Sequence, residues 1–256
     1  MDPFLVDGAH GVPAAPHDAD IICFTHSHYD HFSPKDAAAV ARADGATRYV
    51  MPASMVDEAL KAGIRKDAIT AVEPGQVCYV AGLPLRAVAA YNPAKPFHPK
   101  KNRWVGYLIQ AQPAVSVYVC GDTDAVPEVA ETDCDIICIP VGAKYTMDAA
   151  EAAACVNGMF RAMGRPAVAI PTHYGSAGGK AEDGPTFQGL VGEGVQVILP
   201  YGLRLSRLLR RRRGSRTPGC SCRRRSPPAA ESRRWRCHAP RRSGRWRPGC
   251  PPCPPR

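Results

Sequence analysis

The chain has 256 residues, with 45% hydrophobic and 22% charged residues and a formal net charge of +10 at pH 7. Residues 204–256 contain eighteen arginines and one acidic residue, so the remaining 203 residues have 15 Lys and Arg against 22 Asp and Glu, a net charge of −7. This balance argues against a basic nucleic-acid-binding surface on residues 1–203. A run of eighteen apolar residues is absent, which excludes a typical transmembrane helix from the sequence pattern.

Strands and helices alternate along residues 1–203, which predicts an α/β fold with sheets covered by helices. The predicted order is strand 21–24, helix 34–42, strand 49–52, helix 55–62, strands 76–80, 83–90, 104–110 and 115–120, a turn at 127–130, strand 136–140, helix 148–163, and strands 167–171 and 195–200. Six cysteines precede residue 204, mostly in apolar runs without the spacing of a disulfide framework. The N-terminal residues do not have the pattern of a signal peptide, so we expect a cytoplasmic protein.

Four ligand-type side chains lie close together in the segment 25–31, namely His26, His28, Asp30 and His31. The segment follows a predicted strand and precedes a helix start at Ser33, so it occupies a loop where α/β folds place their chemistry. Imidazole and carboxylate groups bind zinc, manganese or iron. Four such groups are too many for one ion, and the spacing favours two ions. The alternative is a polar loop with surface histidines.

Three further residues lie on loops that Gly or Pro marks at predicted strand ends: His98, Asp122 and His173. Each one alone has an ordinary structural explanation, such as a turn-capping aspartate for Asp122. Together they supply the partners that the first cluster needs to complete two coordination shells.

This order of motifs resembles that of the metallo-β-lactamase-fold hydrolases, and in particular the group similar to L-ascorbate-6-phosphate lactonase. The resemblance covers residues 2–203 and rests on the segments 25–34, 91–99, 121–124, 145–148 and 171–175. It implies a four-layer αβ/βα sandwich with two metal ions at the edge between its sheets.

The resemblance also implies a role for each ligand. His26, His28 and His98 would hold one ion, Asp30, His31 and His173 the other, and Asp122 would bridge them. Zinc is the favoured metal, with manganese as the alternative, and a bridging hydroxide would attack an ester, lactone or phosphodiester. Asp30 would orient the water. The second position of the first motif is His28 instead of Glu, which argues against the oxygen-reducing di-iron branch of the fold.

Two features depart from this family. Members usually have two or more strands ahead of the element that begins here at Asp2, so we expect an N-terminally truncated first sheet. Residues 204–256 follow the hydrolase domain, residues 1–203, and their Arg- and Pro-rich composition predicts a disordered tail. The alternatives are therefore an inactive fragment of such a hydrolase, or a nucleic-acid-binding protein that acts through the tail.

The expected partner is a small-molecule substrate, with nucleic acid bound at most non-specifically through the tail and no membrane. The sequence does not identify the substrate or the oligomeric state. Three hydroxyl-bearing residues adjoin ligand loops: Tyr145, Thr146 and Tyr174. We expect at least one to point into the cleft, with packing at the sheet edge as the alternative.

Removal of the tail is the first test. Truncation after Leu203 should leave metal content and hydrolysis unchanged and should improve solubility, because eighteen arginines bind nucleic acid non-specifically. Metal analysis and a hydrolysis assay of the truncated and full chains check this expectation. Loss of metal on truncation would mean that part of the tail completes the fold.

Overall fold

The computed structural model describes residues 1–5, 16–175 and 178–200, so the expectations for residues 204–256 lie outside the described residues. The strands are β1 (Ile21–Cys23), β2 (Arg48–Pro52), β3 (Ile69–Val72), β4 (Val77–Val80), β5 (Leu83–Ala89), β6 (Val105–Gln112), β7 (Val115–Val119), β8 (Ile136–Pro140), β9 (Val168–Thr172) and β10 (Gln196–Val197). The α-helices are α1 (Pro34–Val40), α2 (Val56–Lys61), α3 (Pro127–Ala130), α4 (Ala149–Met163) and α5 (Asp183–Leu190). Each helix in the described ranges is too short or too polar to cross a membrane.

The strands form two sheets. The small sheet is parallel and ordered β1-β2-β3, whereas the large sheet is mixed and ordered β10-β9-β8-β7-β6-β5-β4. In the large sheet, β7, β8, β9 and β10 are parallel to one another, and β4, β5, β6 and β7 pair antiparallel in sequence. This pairing brings the carboxyl ends of β5, β7 and β9 to the same edge of the sheet.

Three hydrophobic clusters separate four layers. One cluster lies between the two sheets and includes Val50 of the small sheet and Tyr107 of the large sheet. A second packs α1 and α2 on the small sheet through residues such as Met51 and Ala59. The third includes Ile137 of β8 and residues of α4 and α5. The layers therefore follow the order helix, sheet, sheet, helix, which confirms the expected αβ/βα sandwich.

Local sequence signals explain where the helices α1 and α4 begin and where α4 ends. Ser33 caps α1 by accepting a hydrogen bond from the Asp36 backbone N–H at 3.2 Å, and Pro34 occupies the first helical position. Asp148 and Glu151 form a reciprocal capping box at the start of α4. Gly164 ends α4 in the left-handed conformation.

Some elements differ from the expectations. The sequence pattern missed β3, a four-residue strand, and α5, whose segment contains Gly184, Pro185 and Gly189. These residues disfavour a helix, and α5 is stabilised instead by the burial of Phe187 against the large sheet's core. The turn at 127–130 is a single helical turn, and the strand expected at 195–200 pairs only through Gln196 and Val197.

Candidate metal centre

Asp122 lies at the centre of the seven side chains that the sequence singled out. It is 4% exposed. Its carboxylate oxygens lie 3.1 Å from His173 Nε2, 3.3 Å from His31 Nε2, 3.4 Å from His98 Nε2 and 4.0 Å from His26 Nε2. Residues separated by up to 147 positions in sequence thus face one carboxylate.

The remaining contacts divide the cluster into two triads. His26, His28 and His98 form one group, and Asp30, His31 and His173 form the other, with the ligand atoms of each group within 4.8 Å of one another. The Asp30 carboxylate lies 3.5 Å from His173 Nε2 and 3.8 Å from His31 Nε2. These are the two sets that the resemblance implies, although their metal ligation itself stays a prediction.

Strand ends position these side chains. His26 follows β1 after two buried residues, and Asp122 follows β7 after Gly121. The two sheets are joined here, since the Tyr107 hydroxyl donates to the Phe24 carbonyl at 2.9 Å. His173 directly follows β9 and has a φ of 57°. A non-glycine residue in this region is strained, and such strain is typical of functional sites.

Hydrogen bonds behind the rings fix the orientation of three histidines. His98 Nδ1 lies 2.6 Å from Asn92 Oδ1, His31 Nδ1 lies 3.1 Å from Asp2 Oδ2, and His26 Nδ1 lies 2.9 Å from Thr25 Oγ1. In each case the contact turns Nε2 toward Asp122. Outer partners of this kind are usual for metal-binding histidines, because they set the tautomer and the ring orientation.

Asp2 links several of these groups, and the sequence interpretation gave it no role. Its carboxylate accepts hydrogen bonds from the Thr25 backbone N–H and the Thr25 hydroxyl, each at 2.8 Å, besides its contact with His31. The signal that could have found it is its place in the Asp2-Pro3-Phe4 element. An acidic residue that begins a recurring family element is a candidate partner for the following histidines.

The charges of the cluster depend on one another. Burial alone would raise the pKa of Asp122, but the His31 charge and the close polar contacts with His173, His31 and His98 hold that pKa well below its usual range. Burial disfavours the protonated forms of His31 and His173, but the nearby Asp122 carboxylate favours them more strongly. The net effect raises the pKa of His173 to about 9 and the pKa of His31 well above its usual value. Burial, followed by neighbouring imidazoles, lowers the pKa of His26 and His28.

The residues fit divalent cations. His98 is fully buried, and its Nε2 makes no hydrogen bond within the described part of the chain. A buried polar atom without a partner is costly, and here it points toward the Asp122 carboxylate. Five imidazoles and two carboxylates form a donor set for zinc or manganese, and cations would compensate the burial of both carboxylates.

His173 is held by close packing against glycine backbone. A Cβ atom added to Gly142 would lie 2.5 Å from the His173 carbonyl oxygen and 2.6 Å from His173 Nδ1. A Cβ on Gly178 would lie 2.6 Å from His173 Cε1. Side chains at these positions are incompatible with the observed place of the ring, so the glycines are a sequence signal that the first interpretation missed.

Substitution of Gly142 should therefore affect the second triad. We expect Gly142→Ala to displace His173 and to reduce bound metal from about two ions to about one per chain, because a methyl group would overlap that ring. Metal analysis after gel filtration measures this change. Gly158→Ala in α4 is the matched control, since its new Cβ meets nothing within 4 Å, and it should keep full metal content. Two ions in Gly142→Ala would contradict the role of this glycine.

The three hydroxyl-bearing residues have different surroundings. Thr146 is fully buried, and its hydroxyl accepts from the Gly142 N–H at 3.1 Å and donates to the Met147 carbonyl at 3.2 Å. The Tyr174 ring packs against Gly184 of α5. Tyr145 is half-buried and contacts Phe97 edge to face, with 4.7 Å between ring centroids. A Cβ atom on Gly178 would lie 3.0 Å from Tyr145 Cδ2 and 2.6 Å from His173 Cε1, so the Tyr145 ring lies near the His173 ring.

Comparison with known proteins gives a consistent match over most of the described chain. Residues 3–174 match the model of the β-lactamase superfamily domain. A UPF0173 metal-dependent hydrolase of Thermoplasma volcanium is 30% identical over 78% of this chain and 86% of its own length. A protein of the same description from Thermoplasma acidophilum is 28% identical over 78% of this chain and 86% of its length.

Solved structures agree with these matches. A crystal structure of a protein assigned as a metal-dependent hydrolase from Parabacteroides distasonis is 29% identical, with a TM-score of 0.58 over 71% of this chain and 76% of that chain. A metallo hydrolase of Ignicoccus hospitalis has a TM-score of 0.54 at 22% identity over 70% of this chain and 75% of its own, which concerns the fold alone. The narrower similarity to L-ascorbate-6-phosphate lactonase stays a prediction.

Proposed function

Because the chain belongs to the β-lactamase superfamily and is a metal-dependent hydrolase of the metallo-β-lactamase fold, we propose that it acts through two divalent cations. The convergence of two triads on Asp122 supports this proposal. His26, His28 and His98 would hold one cation, Asp30, His31 and His173 the other, and Asp122 would contact both. Zinc is the favoured metal and manganese the alternative.

The proposed reaction is hydrolysis of an ester, lactone or phosphodiester in a small-molecule substrate. When bound, the cations would supply Lewis acidity and lower the pKa of water so that it is nucleophilic near neutral pH. Outer hydrogen bonds orient the rings of His26, His31 and His98, and each ring would bind a cation through a neutral nitrogen. His28 occupies the position where the di-iron branch has Glu, which supports hydrolysis over oxygen chemistry.

Asp30 and Asp122 have separate roles in this proposal. Asp122 is almost fully buried between the triads, and the surrounding imidazoles keep its carboxylate negatively charged against the effect of burial. Asp30 is less buried and has its pKa lowered, because the hydrogen bond from His173 and the His31 charge outweigh the effect of burial. An ionised carboxylate at the rim can orient water and accept a proton from it.

We expect the reaction to take place in the cytoplasm. All six cysteines within the described residues are free, and four are buried, namely Cys23, Cys120, Cys134 and Cys155. Free buried thiols of this number are usual in a reducing compartment. An inactive fragment and a nucleic-acid-binding tail remain the alternative predictions from the sequence.

Metal analysis joined to a substrate screen tests the proposed function. The full chain, purified from medium with zinc or manganese, should contain about two ions and should hydrolyse at least one of a nitrophenyl acyl ester, a simple lactone and a bis-nitrophenyl phosphodiester. A chain that binds metal but turns over none of these classes would favour the inactive-fragment alternative. A chain that binds no metal would overturn the metal centre itself.

The Tyr145 hydroxyl offers a finer test on a confirmed substrate. We expect Tyr145→Phe to lower kcat/KM by about tenfold, because a hydrogen bond to substrate or to a developing oxyanion would be lost. Tyr174→Phe is the matched control, since that ring packs under α5, and it should keep activity. Equal activity of both variants would support packing at the sheet edge as the role of Tyr145.

A further inference from the structure

The loops that surround the metal centre are joined by one partly buried lysine. Lys95 Nζ donates to Asp124 Oδ1 at 2.6 Å and to the Thr146 carbonyl oxygen at 2.7 Å. The side chains of Lys95 and Asp124 are 27% and 17% exposed. Both contacts are therefore shielded from water to a large extent, where a charged hydrogen bond is stronger than at the surface.

The three residues come from three different connections. Lys95 lies between β5 and β6, three positions before His98. Asp124 follows β7, two positions after Asp122. Thr146 lies between β8 and α4, beside Tyr145. The ammonium group thus connects the loop of one triad, the loop of the central carboxylate and the loop at the rim of the site.

Other hydrogen bonds also join the connection between β5 and β6, the loop after β7, and the connection between β8 and α4. The Asp124 N–H and the Thr123 hydroxyl both donate to the Tyr91 carbonyl at 3.1 Å. The Met147 N–H donates to the Thr123 carbonyl at 3.3 Å, which is a long bond. The contact of Lys95 Nζ with the Thr146 carbonyl oxygen, at 2.7 Å, is shorter than this backbone bond between the Asp122 loop and the connection that contains Thr146.

We propose that Lys95 is a positioning residue that holds these three loops so that His98 and Asp122 face each other at metal-binding distance. This inference rests on the proposed metal centre. Loss of the ammonium group would leave the Asp124 carboxylate partly buried without its charge partner. The carboxylate would then move toward water and shift Asp122, which is two residues away.

Substitution to methionine tests this role, because it keeps most of the length of the unbranched side chain and removes its charge. Apo protein of each variant is titrated with Zn²⁺ against a chromophoric chelator. Lys95→Met should raise the Kd for Zn²⁺ by about tenfold, within the range of outer positioning contacts. Lys101→Met is the matched control, because Lys101 is an exposed lysine six positions further along, and it should leave the Kd unchanged.

A second pair of variants separates positioning from a general loss of stability. Asp124→Asn alone should raise the Kd for Zn²⁺. The double variant Lys95→Met, Asp124→Asn should bind Zn²⁺ no more weakly than Lys95→Met, because the two residues act as one unit. The absorption spectrum of the Co²⁺-loaded chain should change in Lys95→Met while the circular dichroism of the apo protein does not. If Lys95→Met does not fold, the neutral double variant is titrated in its place, and a Kd raised about tenfold there supports the role.

Two outcomes would overturn the inference. A folded Lys95→Met with a Kd for Zn²⁺ within twofold of the wild type would show that the lysine does not position the ligands. Additive effects of Lys95→Met and Asp124→Asn on that Kd would show the same. A wild-type chain that binds no Zn²⁺ would instead remove the proposed metal centre, and with it the basis for this inference. The two failures are distinguished by the wild-type titration.

Discussion

Asp122→Asn is expected to abolish hydrolysis and to weaken both metal sites. The Asp122 carboxylate lies 3.1 to 3.4 Å from Nε2 of His173, His31 and His98, residues that belong to both triads. An amide has no negative charge and has one acceptor oxygen instead of two. Loss of this shared ligand should raise the Kd for metal by more than the roughly 10–100-fold of outer contacts.

The measurements are metal content after dialysis and kcat/KM on a confirmed substrate. Asp133→Asn is the matched control, because Asp133 is 60% exposed and contacts Arg165 at the surface. The control should retain two ions and wild-type activity. Unchanged metal stoichiometry together with unchanged hydrolysis in Asp122→Asn would overturn the bridging role.

Much of the fold could be predicted because its signals are local. Apolar runs such as 136–140 are long enough to mark a buried strand, and the Asp148–Glu151 capping box marks the start of α4. The element α5 could not be predicted in this way, because its stability comes from the burial of Phe187 in a distant core. Tertiary packing of this kind overrides the low helix propensity of its two glycines and proline.

In the candidate site, too, some residues could be predicted from local sequence and others could not. The ligand-type residues were recognisable, because imidazole and carboxylate groups clustered at predicted strand ends are themselves a metal-binding donor set. Their supporting contacts were not, since Asp2, Asn92 and Lys95 act through hydrogen bonds to residues elsewhere in the fold. The role of a small residue is harder still to predict from sequence. Gly142 is important because a side chain at that position would overlap His173.

Metal binding is also expected to release protons, and the number released tests the charges described for Asp122 and its neighbouring histidines. In the metal-free chain, Asp122 and Asp30 raise the pKa of His173 to about 9 against the effect of burial, and Asp122 likewise raises that of His31. The His173 imidazole is therefore protonated at pH 7.5, and the protonated form of His31 is favoured in the same direction, whereas a histidine of ordinary pKa, near 6.5, is mostly neutral there. A cation requires neutral imidazole nitrogens.

The pH dependence of metal binding follows from these raised pKa values. A raised pKa keeps the proton in place until the pH passes through about 9 for His173, so protons compete with metal below that pH and the Kd should fall as the pH rises toward it. At pH 7.5, Zn²⁺ binding should release about one proton per chain from His173 and a further contribution from His31, against about a tenth of a proton from each histidine of ordinary pKa. Calorimetry in two buffers of different ionisation enthalpy gives this number.

A variant and a spectroscopic measurement identify the source of the protons. Asp2→Asn removes a carboxylate that lies 3.1 Å from His31 Nδ1, so it should lower the pKa of His31 and reduce the number of protons released. Nitrogen chemical shifts of the imidazoles in the apo chain should show His173 doubly protonated and His26 neutral at pH 7.5, with His31 losing its proton at a higher pH than an ordinary histidine. Release of fewer than about half a proton, or a neutral His173 in the apo chain, would contradict the charge distribution described for Asp122, because an ionised carboxylate at that position is the largest influence that favours the charged form of these buried imidazoles.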